Sequence, residues 1–306
     1  MLDFAFHIVD GGLCFAQAFI CLITLFMEYL TLNNGVKMPF VGFGTFQITG
    51  KEECEKSVIS AIDAGYRLID TAQAYGNEEY VGNAIKNCGT LRAELFITTK
   101  LWFRNYERAN AERTLAKSLE KLQLDYVDMV LLHWPYGNVY DAWRTLERLY
   151  EAGKIRAIGI SNFDVDRMID LITFNKIKPC INQIETRLFC QRKSESWWLK
   201  KYGLAHQAYA PPGQGRANEM FENEVVKKIA DCHDKTPAQV ALRFLVQSGI
   251  PVIPKSVHPN RIKENIDIFD FALADDEMKA LSALDTAKPI IGSAERPETT
   301  EFAMTW

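Results

Sequence analysis

The sequence predicts an α/β chain folded as a (β/α)8 TIM barrel, with an N-terminal β-hairpin and extra helices. Three observations predict it. Short runs of β-branched and apolar residues recur eight times along the 306 residues. Amphipathic stretches separate these runs at intervals of roughly 25–30 residues, the rhythm of βα units on a parallel sheet. The turn after the first run holds only Gly42-Phe43-Gly44, not the Gly-x-Gly-x-x-Gly that opens a doubly wound sheet.

In chain order, residues 29–32 and 36–38 flank Asn33-Asn34-Gly35, and Asn-Gly tolerates the positive φ of a tight hairpin turn. Barrel strands are expected at 40–43, 67–69, 95–98, 126–132, 155–160, 180–183, 205–208 and 251–253. Between the third and fourth, residues 111–122 carry Leu115, Leu119 and Leu122 at helical spacing. Residues 236–248 form an additional helix, with Thr236 as N-cap and Pro237 in the first turn. No linker or low-complexity tract divides 27–306, so this is one domain; single barrels commonly run ~250 residues. Residues 1–26 lack Lys and Arg and are uncharged from 11 onward. They have no basic n-region for a secretory signal, and their uncharged run is short against the roughly 20 residues of a membrane span. They read as an apolar extension outside the core, with a membrane tether as the alternative.

Lys and Arg total 35 against 39 Asp and Glu, interspersed, for a net charge of −4. No basic face suggests nucleic acid. Seven scattered cysteines contain no CxxC pair, which suits reduced thiols in the cytoplasm better than a disulfide framework or a zinc site. A monomer acting on a small molecule is expected.

In barrels of this kind the chemistry lies at the C-terminal ends of the strands. There the sequence places Thr45, Asp70, Lys100, His133, Ser161-Asn162, Gln183, Tyr209 and Lys255, with Tyr75 just beyond Asp70. Reducing a carbonyl needs hydride at carbon and a proton at oxygen. Tyr75 suits the second role, and a buried Lys100 would pull its pKa, about 10 unperturbed, toward neutrality. Asp70 would hold Lys100 charged, and a neutral His133 would orient the substrate oxygen. Singly, Lys100–Asp70 reads as a structural ion pair and His133 as a satisfied core histidine. Together at successive strand ends they read as a site. One His and one carboxylate fall short of the three ligands a catalytic zinc requires, so no metal is expected.

The segment Gly65-Tyr-Arg-x-x-Asp70-Thr-Ala-x-x-Tyr75-Gly-Asn-Glu78 resembles the signature of the aldo-keto reductase family. So do Gly42-Phe-Gly-Thr45, Gly159-Ile-Ser161-Asn162-Phe163, Asn182-Gln183-x-Glu185 and Ile253-Pro-Lys255-Ser256-Val257. The chain is similar to the family from Met27 nearly to its end, in a 2,5-diketogluconate reductase-like bacterial or protist form. The resemblance implies NADPH-dependent reduction of aldehydes, ketones or keto-sugars, with Asp70, Tyr75, Lys100 and His133 as the catalytic set. It implies a nicotinamide amide held by Ser161, Asn162 and Gln183, with Tyr209 on the ring and Thr45 beside it. It implies an adenosine end at Lys255, Ser256, Arg261, Glu264 and Asn265, where Arg261 and Lys255 suit a 2′-phosphate. Phe46, Trp102 and Trp134 are expected to line an apolar substrate pocket. The alternative is a non-catalytic NADPH-binding regulatory partner on the same barrel. Two departures fall in the loop 209–216, where the family often has Ser at Ala210 and Leu at Pro212; Pro212 has no N–H to offer phosphate.

Overall fold

Eight parallel strands close on one another in a computed structural model that describes residues 29–291 and 296–305. The expectations for residues 1–26 lie outside them. The antiparallel hairpin comes first, β1 (Tyr29–Thr31) and β2 (Lys37–Pro39), paired through Leu30↔Met38. Its turn asparagines also fasten it to the barrel. Asn33 Nδ2 donates to the Pro179 and Gly203 carbonyls at 2.8 and 3.2 Å, and Asn34 Nδ2 to Arg156 O at 3.0 Å.

The barrel strands follow as β3 (Gly42–Gly44), β4 (Leu68–Asp70), β5 (Phe96–Leu101), β6 (Val127–Leu132), β7 (Ile155–Ser161), β8 (Ile181–Glu185), β9 (Ala205–Tyr209) and β10 (Val252–Ile253). Each pairs in parallel with its sequence neighbour, from β3 to β10. The ring closes where Val41 bridges Val252, with Val252 N–H on Phe40 O at 2.8 Å and Gly44 N–H on Pro254 O at 3.0 Å. The helices between strands are α1 (Lys51–Asp63), α2 (Glu78–Asn87), α3 (Arg108–Leu122), α4 (Val139–Glu151), α5 (Val165–Thr173) and α6 (Lys193–Tyr202). Three more, α7 (Ala217–Phe221), α8 (Glu224–His233) and α9 (Pro237–Gln247), lie between β9 and β10. The last three are α10 (Pro259–Ile266), α11 (Asp275–Ser282) and α12 (Pro297–Ala303). Thr236 caps α9 as expected, within a full capping box that Gln239 completes. That helix leads directly into β10, so α7 and α8 are the insertions before it.

The side-chain period of two sorts each strand into an outer and an inner set. Ile69, Ile97, Val130, Ile158 and Ile160 belong to the core shared with the helices. Leu68, Phe96, Met129, Leu131, Ala157 and Ile181 form a second cluster with Leu32 and Met38 of the hairpin region. Leu32 and Met38 are 4% and 0% exposed; burying two such side chains contributes about 1.5–3 kcal/mol each. The hairpin thus plugs one end of the barrel, and two to four residues further along most strands the inner positions become polar.

Candidate active site

Counting by twos from the inner apolar cluster leads to the site: Leu68 to Asp70, Phe96 to Lys100, Met129 to His133, Ala157 to Ser161, Ile181 to Gln183, and Ile253 to Lys255. Asp70, Lys100, Ser161 and Gln183 are all buried to 1% exposure or less. Lys100 Nζ directs its three protons at three acceptors: Asp70 Oδ1, Thr71 O at 3.1 Å and Tyr75 Oη at 3.2 Å. Because Lys100 donates to the phenol, the phenolic proton is left to point elsewhere.

The segment that brings Tyr75 there is braced residue by residue. Gly76 takes φ +69° to end the short 3-10 turn Gln73–Tyr75, a left-handed conformation that costs glycine little. Asn77, fully buried, accepts from Thr71 Oγ1 at 2.8 Å and donates to the Thr45 and Ile48 carbonyls at 2.9 and 3.1 Å. Glu78 accepts from Thr99 Oγ1 at 2.7 Å and Ser118 Oγ at 3.2 Å. A Cβ on Gly82 would stand 2.5 Å from the Lys121 carbonyl oxygen, so glycine lets α2 approach the end of α3.

The electrostatics differ from expectation at Tyr75. Burial, and then the Asp70 carboxylate, push the phenol well above its ordinary value despite the Lys100 ammonium beside it. The phenol therefore keeps its proton at neutral pH, which is the state an acid must occupy before it acts. Burial lowers the Lys100 ammonium, with Asp70 opposing. Burial and Lys100 together hold His133 well below the usual histidine range, so the ring is neutral. Its Nδ1 is buried with no hydrogen-bond partner. An orphaned acceptor costs less than an orphaned N–H, which assigns the proton to Nε2 of a ring that lines the cavity.

That cavity has a volume of about 530 Å³. Asp70, Tyr75 and His133 line it together with Ser161, Asn162, Gln183, Tyr209 and Lys255. Phe46, Trp102 and Trp134 line it too. Phe46 packs 4.9 Å from the Tyr75 ring and Trp102 5.2 Å from that of His133. Thr45 lies behind: it is fully buried, with hydroxyl and N–H both on Asp70 O at 3.0 Å. Ser256, Arg261, Glu264 and Asn265 are not on its wall. Ser256 Oγ accepts from His258 N–H at the start of α10, which carries an exposed Arg261 and Glu264 and a buried Asn265.

The fit to an extended dinucleotide can be tested on polar groups. Asn162, at φ +60°, donates to His133 O at 3.0 Å and accepts from Tyr209 Oη at 2.8 Å, which holds the tyrosine ring on the wall. Gln183, which lines the cavity, uses both amide N–H groups within the barrel, on Asp70 Oδ2 at 2.9 Å and Gln207 Oε1 at 2.8 Å, so its side-chain oxygen is not engaged by them. The loop after β9 forms two successive turns, Gly213 N–H on Ala210 O and Arg216 N–H on Gly213 O, both 2.8 Å, and lines the cavity from Ala210 to Gly215. Ala210 holds φ +50° there, a conformation costing roughly 1–2 kcal/mol for a residue with a Cβ. An amide acceptor, an aromatic wall, a turn-rich loop and the cation of Lys255 suit nicotinamide, pyrophosphate and a phosphate. Among the described residues no group of three His, Cys, Asp or Glu could hold a metal.

Sequence reasoning missed one feature of the site. Gln207, two residues before Tyr209 on the same inner face, is 1% exposed; a glutamine inside an apolar strand was the available signal. The tail contributes a wall through Ile291, Thr299, Phe302 and Ala303. Glu185 anchors it by accepting from Ile290 and Ile291 N–H at 2.7 and 2.8 Å, and Arg104 holds Met304 O at 2.5 Å. His206, for which the sequence offers no role, is a satisfied wall residue: it faces the opposite way, bonded to Ser196 Oγ and Thr186 Oγ1.

Residues 41–286 match the model of the aldo/keto reductase family. The chain is 46% identical over 265 residues to the glyoxal reductase of Bacillus subtilis, covering 85% of this chain and 94% of the relative. It is 43% identical over 262 residues to the methylglyoxal reductase DkgA of Yersinia pestis, covering 85% and 93%. Among solved structures it is similar to MGS-M4, an aldo-keto reductase from a deep-sea metagenome library, at 41% identity and a TM-score of 0.85, covering 88% and 98%. A Bombyx mori aldo-keto reductase in complex with NADP is similar at 32% identity and a TM-score of 0.82, covering 86% and 94%.

Proposed function

This chain belongs to the aldo/keto reductase family, and from that premise we propose that it reduces small aldehydes and ketones with Tyr75 as the proton donor. It is an NADP-dependent oxidoreductase, and 2-oxoaldehydes are the first substrates to try, because its relatives are named for glyoxal and methylglyoxal. NADPH, when bound, supplies the hydride. The observation that carries the assignment is that Lys100 joins Asp70 to Tyr75, both of which line one cavity with His133.

The chain's own groups then divide the work. Nε2–H of His133 donates to the substrate oxygen and sets its direction. Tyr75 releases its proton to that oxygen as negative charge builds there. The phenolate left behind lies against the Lys100 ammonium, 3.2 Å away in the resting protein. Lys100 therefore acts where charge develops, a contribution to the transition state that a resting phenol does not feel. Asp70 opposes the loss of the Lys100 proton that burial favours. Phe46, Trp102 and Trp134 exclude water and offer flat apolar contact. A cavity of about 530 Å³ that must also admit a nicotinamide ring leaves room for a small carbonyl. Free cysteines at 54, 88, 180, 190 and 232 support a reducing compartment, and we take the enzyme to be a cytoplasmic monomer. No helix among the described residues is long and apolar enough to cross a membrane.

The test is consumption of NADPH with glyoxal, methylglyoxal and a panel of larger carbonyls, run beside Tyr75→Phe. That variant keeps the ring and deletes the proton, so turnover is expected to fall by ~10²–10⁴-fold with NADPH binding retained. Tyr75→Phe turning over near the unmutated rate, with chemistry limiting, removes the proton-donor assignment.

A further inference from the structure

We propose that Gln207 is a positioning residue for the cofactor, fixing the plane of the Gln183 amide so that its carbonyl faces the nicotinamide carboxamide. The proposal rests on the NADPH reading above. It starts from a line of hydrogen bonds across the barrel interior whose direction is set at both ends. At one end stands the Asp70 carboxylate, which only accepts, so Gln183 must turn its NH2 toward Oδ2, 2.9 Å away. The second proton of that NH2 meets Gln207 Oε1 at 2.8 Å. Gln207 must then present its own NH2 the other way, where Met38 Sδ lies at 3.8 Å. A thioether has no proton to give, so nothing at that end favours the flipped amide. Gln207 and Met38 are 1% and 0% exposed, and water does not reach either.

Two acceptors do what one cannot. Asp70 alone decides which end of the Gln183 amide faces it, but the amide can still swing about that single bond. The second acceptor, on the neighbouring strand in register (Gln183↔Gln207), stops the swing and aims Oε1 into the cavity. The carboxamide of nicotinamide carries an NH2 that needs such an acceptor. Gln207 does not itself line the cavity, so its effect passes through Gln183.

The experiment compares the unmutated chain with Gln207→Met, which fills the same space without a comparable acceptor, and with Gln207→Glu, which keeps an acceptor in place. Gln207→Leu gives the same reading if the Met variant does not fold. Two ligands are titrated against intrinsic fluorescence: NADPH, and 2′-phospho-ADP-ribose, which lacks the nicotinamide. Losing one aligned hydrogen bond predicts about 3- to 10-fold weaker NADPH binding in Gln207→Met. 2′-Phospho-ADP-ribose is expected to bind all variants alike, and Gln207→Glu to hold NADPH as the unmutated chain does. Equal weakening of both ligands makes Gln207 merely structural and overturns the proposal, as does an unchanged NADPH affinity in Gln207→Met. Gln207→Glu as weak as Gln207→Met overturns it too, because the acceptor would then not matter. An unmutated chain that binds neither ligand overturns the cofactor reading itself, and this proposal with it.

Discussion

Lys100 illustrates how one residue can be both legible and misjudged. Its place at a strand end, near an acid and a phenol, could be read from residue order, because a parallel barrel brings successive strand ends together. Its effect on Tyr75 could not, because the balance between burial and Asp70 depends on depth, which only packing decides. In the proposed mechanism the resting phenol stays protonated, and Lys100 acts as the phenolate forms. Lys255 and Arg261 pose the converse case, where charge matters more than depth. Both are exposed, Lys255 on the cavity and Arg261 on α10 (Pro259–Ile266). Their charges distinguish NADPH from NADH only through the 2′-phosphate. Replacing either by Met is therefore expected to raise the KM for NADPH by roughly 10- to 150-fold, from ~1.5–3 kcal/mol per charge-assisted bond, with little change for NADH. Steady-state kinetics with both cofactors checks this. Equal use of the two by the unmutated chain would remove the assignment.

At the scale of elements, the strands were legible because period two and β-branched runs are local, and the capped helix α9 because Thr236-Pro237 is a local signal. The tail helix α12 (Pro297–Ala303) was not. Seven residues are too few for a periodic pattern, and what holds them is remote in sequence: Arg104 on Met304 O and Tyr136 Oη accepting from Thr300. The seam between β9 (Ala205–Tyr209) and α6 (Lys193–Tyr202) is of the same kind, made by His206 with Ser196 on the helix and with Thr186. Burial, aided by Arg192, lowers His206 to about 3. A histidine depressed in the folded state binds its proton more readily once unfolded. Its contribution is thus complete above an unfolded pKa of about 6.5 and is lost as pH falls from there toward about 3. The slope is about 1.4 kcal/mol per pH unit for one proton. Urea unfolding at a series of pH values should show this dependence in the unmutated chain. In His206→Gln it should be shallower by about that amount, since carboxylates and His133 act equally in both. Identical slopes would mean that His206 is not buried neutral.

For the molecule as a whole, the two ends of the barrel have separate tasks, and the apolar cluster between them keeps them apart. The proposed site is built from Asp70, Lys100, His133 and their neighbours, all of which lie beyond residue 27. The other end is sealed by residues that the described chain itself supplies. Leu32 and Met38 enter the inner cluster beside Leu68, Phe96 and Met129. Asn33 and Asn34 tie the hairpin to Pro179, Gly203 and Arg156. A chain beginning at Met27 retains every one of these contacts. Its fold and its turnover are therefore expected to match those of the full chain. Removing 26 residues without a single Lys or Arg takes away apolar surface that favours association, so the shorter chain should also aggregate less. The comparison needs three measurements on both chains: kcat/KM for one good carbonyl, the urea midpoint and slope, and sedimentation at rising concentration. A truncated chain with lower midpoint and shallower slope would show that residues 1–26 pack against the barrel after all. Recovery of the full chain in a membrane fraction, released only by detergent, would identify them as a tether and leave the independence of the barrel intact.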